Sequence, residues 1–191
     1  MTAVALVSVL CADRIGLVSA ITSHLFDTGI NLRDTSFAVL GQGAEFTSVC
    51  ELPGALTIAA LQAGLEQLPE LAGGQVTVRR FVFEPALAPQ GRITHRIEVS
   101  GGDQLGLIAR LSDIFTQFGA NIVRMDAQTI PAAWPHGERY VTRFSVWLPA
   151  DRAATCLAEV ANTAGSLGLV STSTLVEQAA VEQAAGDGVR G

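Results

Sequence analysis

The run Asp13-Arg14-Ile15-Gly16-Leu17 returns, altered, as Asp103-Gln104-Leu105-Gly106-Leu107. Each copy follows an apolar, strand-like run and opens a run with helical spacing. Each helical run then closes in Gly-x-Asn-apolar, as Gly29-Ile30-Asn31-Leu32 and as Gly119-Ala120-Asn121-Ile122. The distance between the two marks is the same in both copies. The chain is therefore one module written twice, and that constrains the fold more than composition can. Each module has roughly 85–90 residues, enough to bury a core of its own.

Within the first copy, Val4 to Cys11 is apolar and β-branched, which suits a strand buried on both faces. Ile15, Val18, Ile21 and Leu25, with Phe26 beside them, make one helical stripe, and Gly29 closes it as a C′ glycine. Leu32–Leu40 and Glu45–Leu52 read as a hairpin around Gly41-Gln42-Gly43. Ile58, Leu61, Leu65 and Leu68 form a second stripe, and Val76–Glu84 a fourth strand. The stretch Glu84 to Arg92, with Pro85, Pro89 and Gly91, reads as a linker.

The second copy repeats this order. Ile93–Ser100 is a strand, and Ile108, Leu111, Phe115 and Phe118 form a stripe. Asn121–Ile130 and Arg139–Leu148 are a hairpin whose loop, Pro131 to Gly137 around Trp134, is longer than its counterpart. A helix carrying Leu157, Val160, Ala161 and Ala164 leads to a last strand, Leu169–Val176. The expected division is a first domain over 1–85, a linker over 86–92, a second domain over 93–177 and a disordered tail over 178–191.

The order β-α-β-β-α-β predicts an α+β fold, two tandem ferredoxin-like units. Each has a four-stranded antiparallel sheet with two helices on one face. Strand residues of both parities are apolar in Phe37-Ala38-Val39-Leu40. The uncovered face or an edge is therefore expected to pack against the other repeat or another chain. Hydrophobic content of 49% against 16% charged residues fits such association, so a homo-oligomer is expected.

That fold hosts unrelated functions, so function must come from sites. The formal net charge of −6 argues against a nucleic-acid footprint. Phe46, Tyr140, Phe144 and Trp147 fall on central strands, but no basic ribonucleoprotein motif accompanies them, so core or interface packing is expected. Cys11, Cys50 and Cys156 show no paired spacing, and His24, His95 and His136 are scattered. No metal, no cofactor and free thiols in a reducing compartment follow as expectations. Nucleophile-base arrangements are not legible, and Ser100-Gly101-Gly102-Asp103 lacks the Lys and Ser/Thr of a phosphate loop, so catalysis is not expected. No apolar run reaches the roughly 20 residues of a membrane span. The first apolar run has no basic flank, which points away from a secretory signal and towards the cytoplasm.

The repeated loops are the exception. Asp13 and Asp103 stand where a carboxylate would cap a helix N-terminus. Gly16 and Gly106 fall in the first helical turn, where glycine costs stability unless something approaches the backbone closely. Asn31 and Asn121 offer a donor and an acceptor. Together these groups suit a zwitterionic ligand.

Asp-Arg-x-Gly-Leu after an apolar strand, a helix of about fifteen residues, then Gly-x-Asn-apolar, resembles the ACT domain. The resemblance covers both copies, from about Ala3 to Val176. It implies regulatory modules that bind amino acids at interfaces between paired domains, through the βα loop around the glycine and the start of the second strand. The matching positions are Asp13, Arg14, Gly16, Leu17 and Asn31, then Asp103, Gln104, Gly106, Leu107 and Asn121. Within that family, Asp13 to Val18, Ile21-Thr22-Ser23-His24, Ala38-Val39-Leu40-Gly41 and Glu45-Phe46-Thr47 resemble the glycine cleavage system transcriptional repressors. This implies a sensor of glycine or a similar amino acid that acts through a partner transcription factor. Copy two departs from the pattern, with Gln104 in place of arginine, so the first copy is the expected ligand-holding half. Cys11 to Val18 also resembles the ACT domain of formyltetrahydrofolate deformylase, an enzyme whose catalytic domain this sequence does not carry.

Overall fold

The strand over Ala3–Ala12, β1, is buried on one face only, which corrects the two-sided expectation. Ala5, Val7, Val9 and Cys11 are buried, Val4, Leu6 and Ser8 are half-buried, and Leu10 is exposed. Antiparallel neighbours flank β1 on both sides, and helices cover one face, so burial follows the two-residue period of the pleat. The computed structural model describes residues 3–84, 86, 88–131 and 138–176. It comprises two units, Met1–Pro85 and Ala86–Gly191.

In the first unit, β1 is followed by α1 (Leu17–Asp27), β2 (Asn31–Leu40), β3 (Gly43–Leu52), α2 (Ile58–Glu66), a 3₁₀ turn at Pro69–Leu71 and β4 (Gln75–Arg80). The sheet order is β2-β3-β1-β4, antiparallel throughout. The second unit repeats the plan with β5 (His95–Gly101), α3 (Leu107–Gln117), β6 (Asn121–Pro131), β7 (Glu138–Trp147), α4 (Ala153–Ser166) and β8 (Val170–Leu175). Its sheet order, β6-β7-β5-β8, is the same. Each unit is a split βαβ sandwich, and together they are tandem ferredoxin-like units.

Both α1 and α3 end as their glycines suggest. Ile30 N–H donates to Leu25 O and Gly29 N–H to Phe26 O; Ala120 and Gly119 repeat the pair on Phe115 and Thr116. These are Schellman closures around a left-handed C′ glycine. The starts differ from the sequence reading. α1 buries Leu17, Ile21 and Leu25, while Ile15, Val18 and Phe26 stay exposed. α3 buries Leu111 and Phe115 of the expected row, with Phe118 packed against the core, and adds Leu107 and Ile114, while Ile108 is half-buried. The helices begin at Leu17 and Leu107, and Ile15 and Leu105 belong to the preceding loops, so the stripe is set by the leucines. Thr57, whose Oγ1 accepts from Ala60 N–H at 3.1 Å, caps α2.

Phe46 and Phe144 are core residues on the helix-covered faces, and Phe144 meets Phe115 edge to face at 5.3 Å. Each such buried ring contributes about 1.5–3 kcal/mol and is unavailable for base stacking. β4 stops at Arg80, short of the expected Glu84. His24, read as a surface residue, is half-buried with Nε2 unpartnered among the described residues; a Cβ on Gly64 of α2 would lie 2.7 Å from it. Within the expected linker, Pro89–Gly91 forms a 3₁₀ turn. The loop around Trp134 and His136, and the tail from Gln178, lie outside the described residues.

Candidate functional site

Gly16 and Gly106 sit one residue ahead of the helices, not in the first turn. Both are left-handed, with φ of 88 and 78. In that region a Cβ crowds the following carbonyl, so glycine is the residue the backbone needs. A Cβ built on either would meet nothing within 4 Å. The glycines therefore answer to backbone curvature and border open space. Among the described residues no neighbouring strand presses on them.

The capping role expected of Asp13 and Asp103 is also corrected. No side chain caps α1 or α3. The left-handed glycine turns the chain so that the helix starts four residues beyond each aspartate. Asp13 instead uses its backbone N–H, donating to Gln42 O at 2.9 Å, which ties the loop to the β2–β3 turn. Each helix thus opens with N–H groups that no side chain satisfies, at the positive end of its dipole. Leu17 and Leu107 anchor the loops from within the cores. Ile15 and Leu105 do the opposite, with relative exposures of 104% and 100%.

Arg14 is exposed but engaged. Nη1 donates to Pro69 O and Nη2 to Ala72 O, each at 3.2 Å, so the guanidinium fastens the first loop to the 3₁₀ turn before β4. Gln104, its counterpart, lines an open groove of about 240 Å³ with Asp103, Gly106, Leu107 and Tyr140. Tyr140 was not foreseen at this loop; it arrives through the pairing of β7 with β5, where it faces Gly101.

The asparagines stand elsewhere. Asn31 pairs with Glu51, which pairs with Val4 at the far end of β1 from the loop. Eight residue steps along β1 separate Val4 from Ala12, about 26 Å at the usual rise. In the second unit Asn121 faces Trp147, again at the end of the sheet away from Gly106, about 23 Å by the same rise. Within one unit, then, the loop residues come together and the asparagine does not join them.

The two asparagines also have different partners. Asn31 Nδ2 donates to Glu51 Oε2 at 3.1 Å, and Arg33 pairs with the same carboxylate. These contacts, the Asn31 hydrogen bond first and then Arg33, hold the Glu51 carboxyl below the usual glutamate range. Asn121 Nδ2 donates to Gln90 O at 2.9 Å, in the turn before β5. Glu51 and Arg33 were missed in the sequence because reaching them needs the hairpin register. That register slips between Leu32 and Thr35, as it does between Ile122 and Arg124 in the second unit.

Other chemistry is sparse. Cys11, Cys50 and Cys156 are free and buried, and burial pushes the Cys156 thiol up to about 11. Among the described residues no three His, Cys, Asp or Glu side chains group as a metal site, and no helix is long and apolar enough to cross a membrane.

No protein-family model matches the chain. A search of curated proteins finds similarity to the glycine cleavage system transcriptional repressor of Escherichia coli strain K12. It is 26% identical over 187 residues, covering 92% of this chain and 95% of that protein. The Shigella flexneri protein of the same name matches equally. Among solved structures, an unidentified protein from Galdieria sulphuraria superposes with a TM-score of 0.72 at 22% identity, covering 93% of this chain and all of that one. A crystal structure named provisionally as a glycine cleavage system transcriptional repressor gives a TM-score of 0.64 at 15% identity, covering 93% and 99%.

Proposed function

We propose, from the premise that this chain is a tandem ACT protein resembling the glycine cleavage system transcriptional repressor, that it responds to a small amino acid and passes the response to a partner protein. The observation that carries the proposal is the repeated loop. Both copies present an uncapped helix N-terminus behind a left-handed glycine that borders open space. Such a terminus suits a ligand carboxylate. The amino group then needs an acceptor. Asn31 or Asn121 would supply it, but each lies about 23–26 Å from its own unit's loop by strand rise. A complete site therefore takes its loop from one copy of the chain and its asparagine from a second copy.

This assembly gives the fully exposed Ile15 and Leu105 a role, since both flank the loop glycines and would be covered when copies of the chain pair. Binding between copies of the chain also supplies a mechanism. A ligand that favours one pairing shifts the population of assemblies and so the affinity for a partner, here a transcription factor. The acidic chain would act without gripping DNA itself, in the cytoplasm, where its three buried thiols stay reduced.

Isothermal titration with glycine, serine and the remaining amino acids tests the sensor reading. Saturable heat is expected with at least one, weakened by Asn31→Ala and by Gly16→Ala. No heat and no thermal shift with any of the twenty would overturn it. Capture of the partner should then depend on that amino acid; amino-acid-independent capture would reduce the chain to a scaffold.

A further inference from the structure

We propose that the outer face of the second unit's sheet carries a separate site for a small oxyanion, a carboxylate or a phosphate. The face is the one turned away from α3 and α4, since the intervening residues Ile97, Val99, Phe144 and Val146 are those buried in the core. Strand pairing sets its side chains in two rows across β8, β5, β7 and β6. One row reads Thr174, Arg96, Ser145, Arg124; the next reads Thr172, Glu98, Arg143, Asp126. Both rows line a cavity of about 450 Å³ with an apolar wall at Ile93, within the size range of small-molecule sites.

The two rows differ in how their charge is spent. Arg143 is held between acids, donating to Glu98 Oε2 at 2.9 Å and to Asp126 Oδ2 at 3.4 Å. In the other row, no carboxylate among the described residues lies within 4.0 Å of Arg96 or Arg124. Their strand positions stand two strand spacings apart, about 9.6 Å, on either side of Ser145. Like charges so placed attract one counter-charge between them. The planar fork of arginine matches carboxylate and phosphate oxygens, and Ser145 and Thr174 add hydroxyl donors.

The first unit shows that the fold does not require this chemistry. At the corresponding row it carries Arg79, Leu6 and Val49 where the second unit has Thr174, Arg96 and Ser145. The two copies have parted at the centre of this face: the first places its arginine on the edge strand beside Leu6, and the second places Arg96 on the inner strand β5. The site is distinct from the loops and independent of amino-acid binding at them.

Thermal shift and titration calorimetry with sodium phosphate and with sodium citrate test the proposal, at ionic strength matched by sodium chloride. The full chain should show a saturable response to at least one of the two. Arg96→Gln with Arg124→Gln should abolish it, and Ser145→Val should weaken it about tenfold. Arg110→Gln, on exposed α3, should leave it unchanged. No saturable response to either anion overturns the proposal, as does an identical response in the double variant. Sedimentation of the same proteins closes the remaining route. A double variant that changes oligomeric state while the wild type ignores both anions marks the face as an interface between copies and refutes the site.

Discussion

Replacing Gly106 by alanine separates two accounts of the loop glycine by the sign of one stability change. If Gly106 lay in a right-handed first turn, alanine would stabilise the unit by roughly 0.5–1 kcal/mol, the usual cost of glycine in a helix. The observed φ of 78 reverses the expectation. A non-glycine residue held left-handed costs about 1–2 kcal/mol, and the stiffer unfolded chain returns roughly 0.4–1 kcal/mol of it. No steric term enters, because the added Cβ meets nothing within 4 Å. The net is a destabilisation of about 1 kcal/mol, or some 4–8 °C for a unit of this size. Both tryptophans, Trp134 and Trp147, fall in the second half of the chain. Tryptophan emission during urea unfolding therefore reports that half, and its midpoint should fall by roughly 0.5–1 M. A midpoint that rises would refute the left-handed loop. Gly16→Ala, followed by circular dichroism, should repeat the result in the first unit, where φ is 88.

Thr57→Ala removes the one side-chain cap on α2 and should cost about 1 kcal/mol in thermal unfolding. Glu51 should titrate below an ordinary glutamate by NMR, and Asn31→Ala should raise it. Its folded value is depressed, so its contribution to stability is present above the unfolded pKa and is lost as pH falls through the folded one; a Glu51 that titrates normally would contradict the Asn31 contact. Cys156 has the opposite sense. With its folded value raised to about 11, the unfolded state gives up its proton first, and stability should fall as pH rises from the ordinary thiol value towards 11. Disulfide-exchange labelling of the native protein should accordingly run at the rate of local opening; rapid labelling of Cys156 would show that it is not buried.

Much of the architecture is written in short-range signals. The duplicate loops declare two modules, and the order of strand and helix periods names the sandwich. The glycines at 29 and 119 mark helix ends through turn chemistry confined to a few residues, and they close α1 and α3 as expected. These features need no knowledge of distant partners, so the chain carries them locally. What spacing could not convey was the conformation of Gly16 and Gly106. A glycine before an apolar run reads alike whether it is left- or right-handed, and that ambiguity placed Ile15 in the stripe where Leu17 belongs. Strand pairing decided the rest. The return of the chain through α1 and α3, which makes β2 parallel to β1 and β6 parallel to β5, carries each asparagine to the far end of the sheet from its loop. The same pairing sets Arg96 and Arg124 on either side of Ser145, though they are far apart along the chain. Periodicity tells which residues share a face of one element. Only the register between elements tells which of them meet, because hydrogen-bonded ladders form between segments whose alignment no single segment specifies.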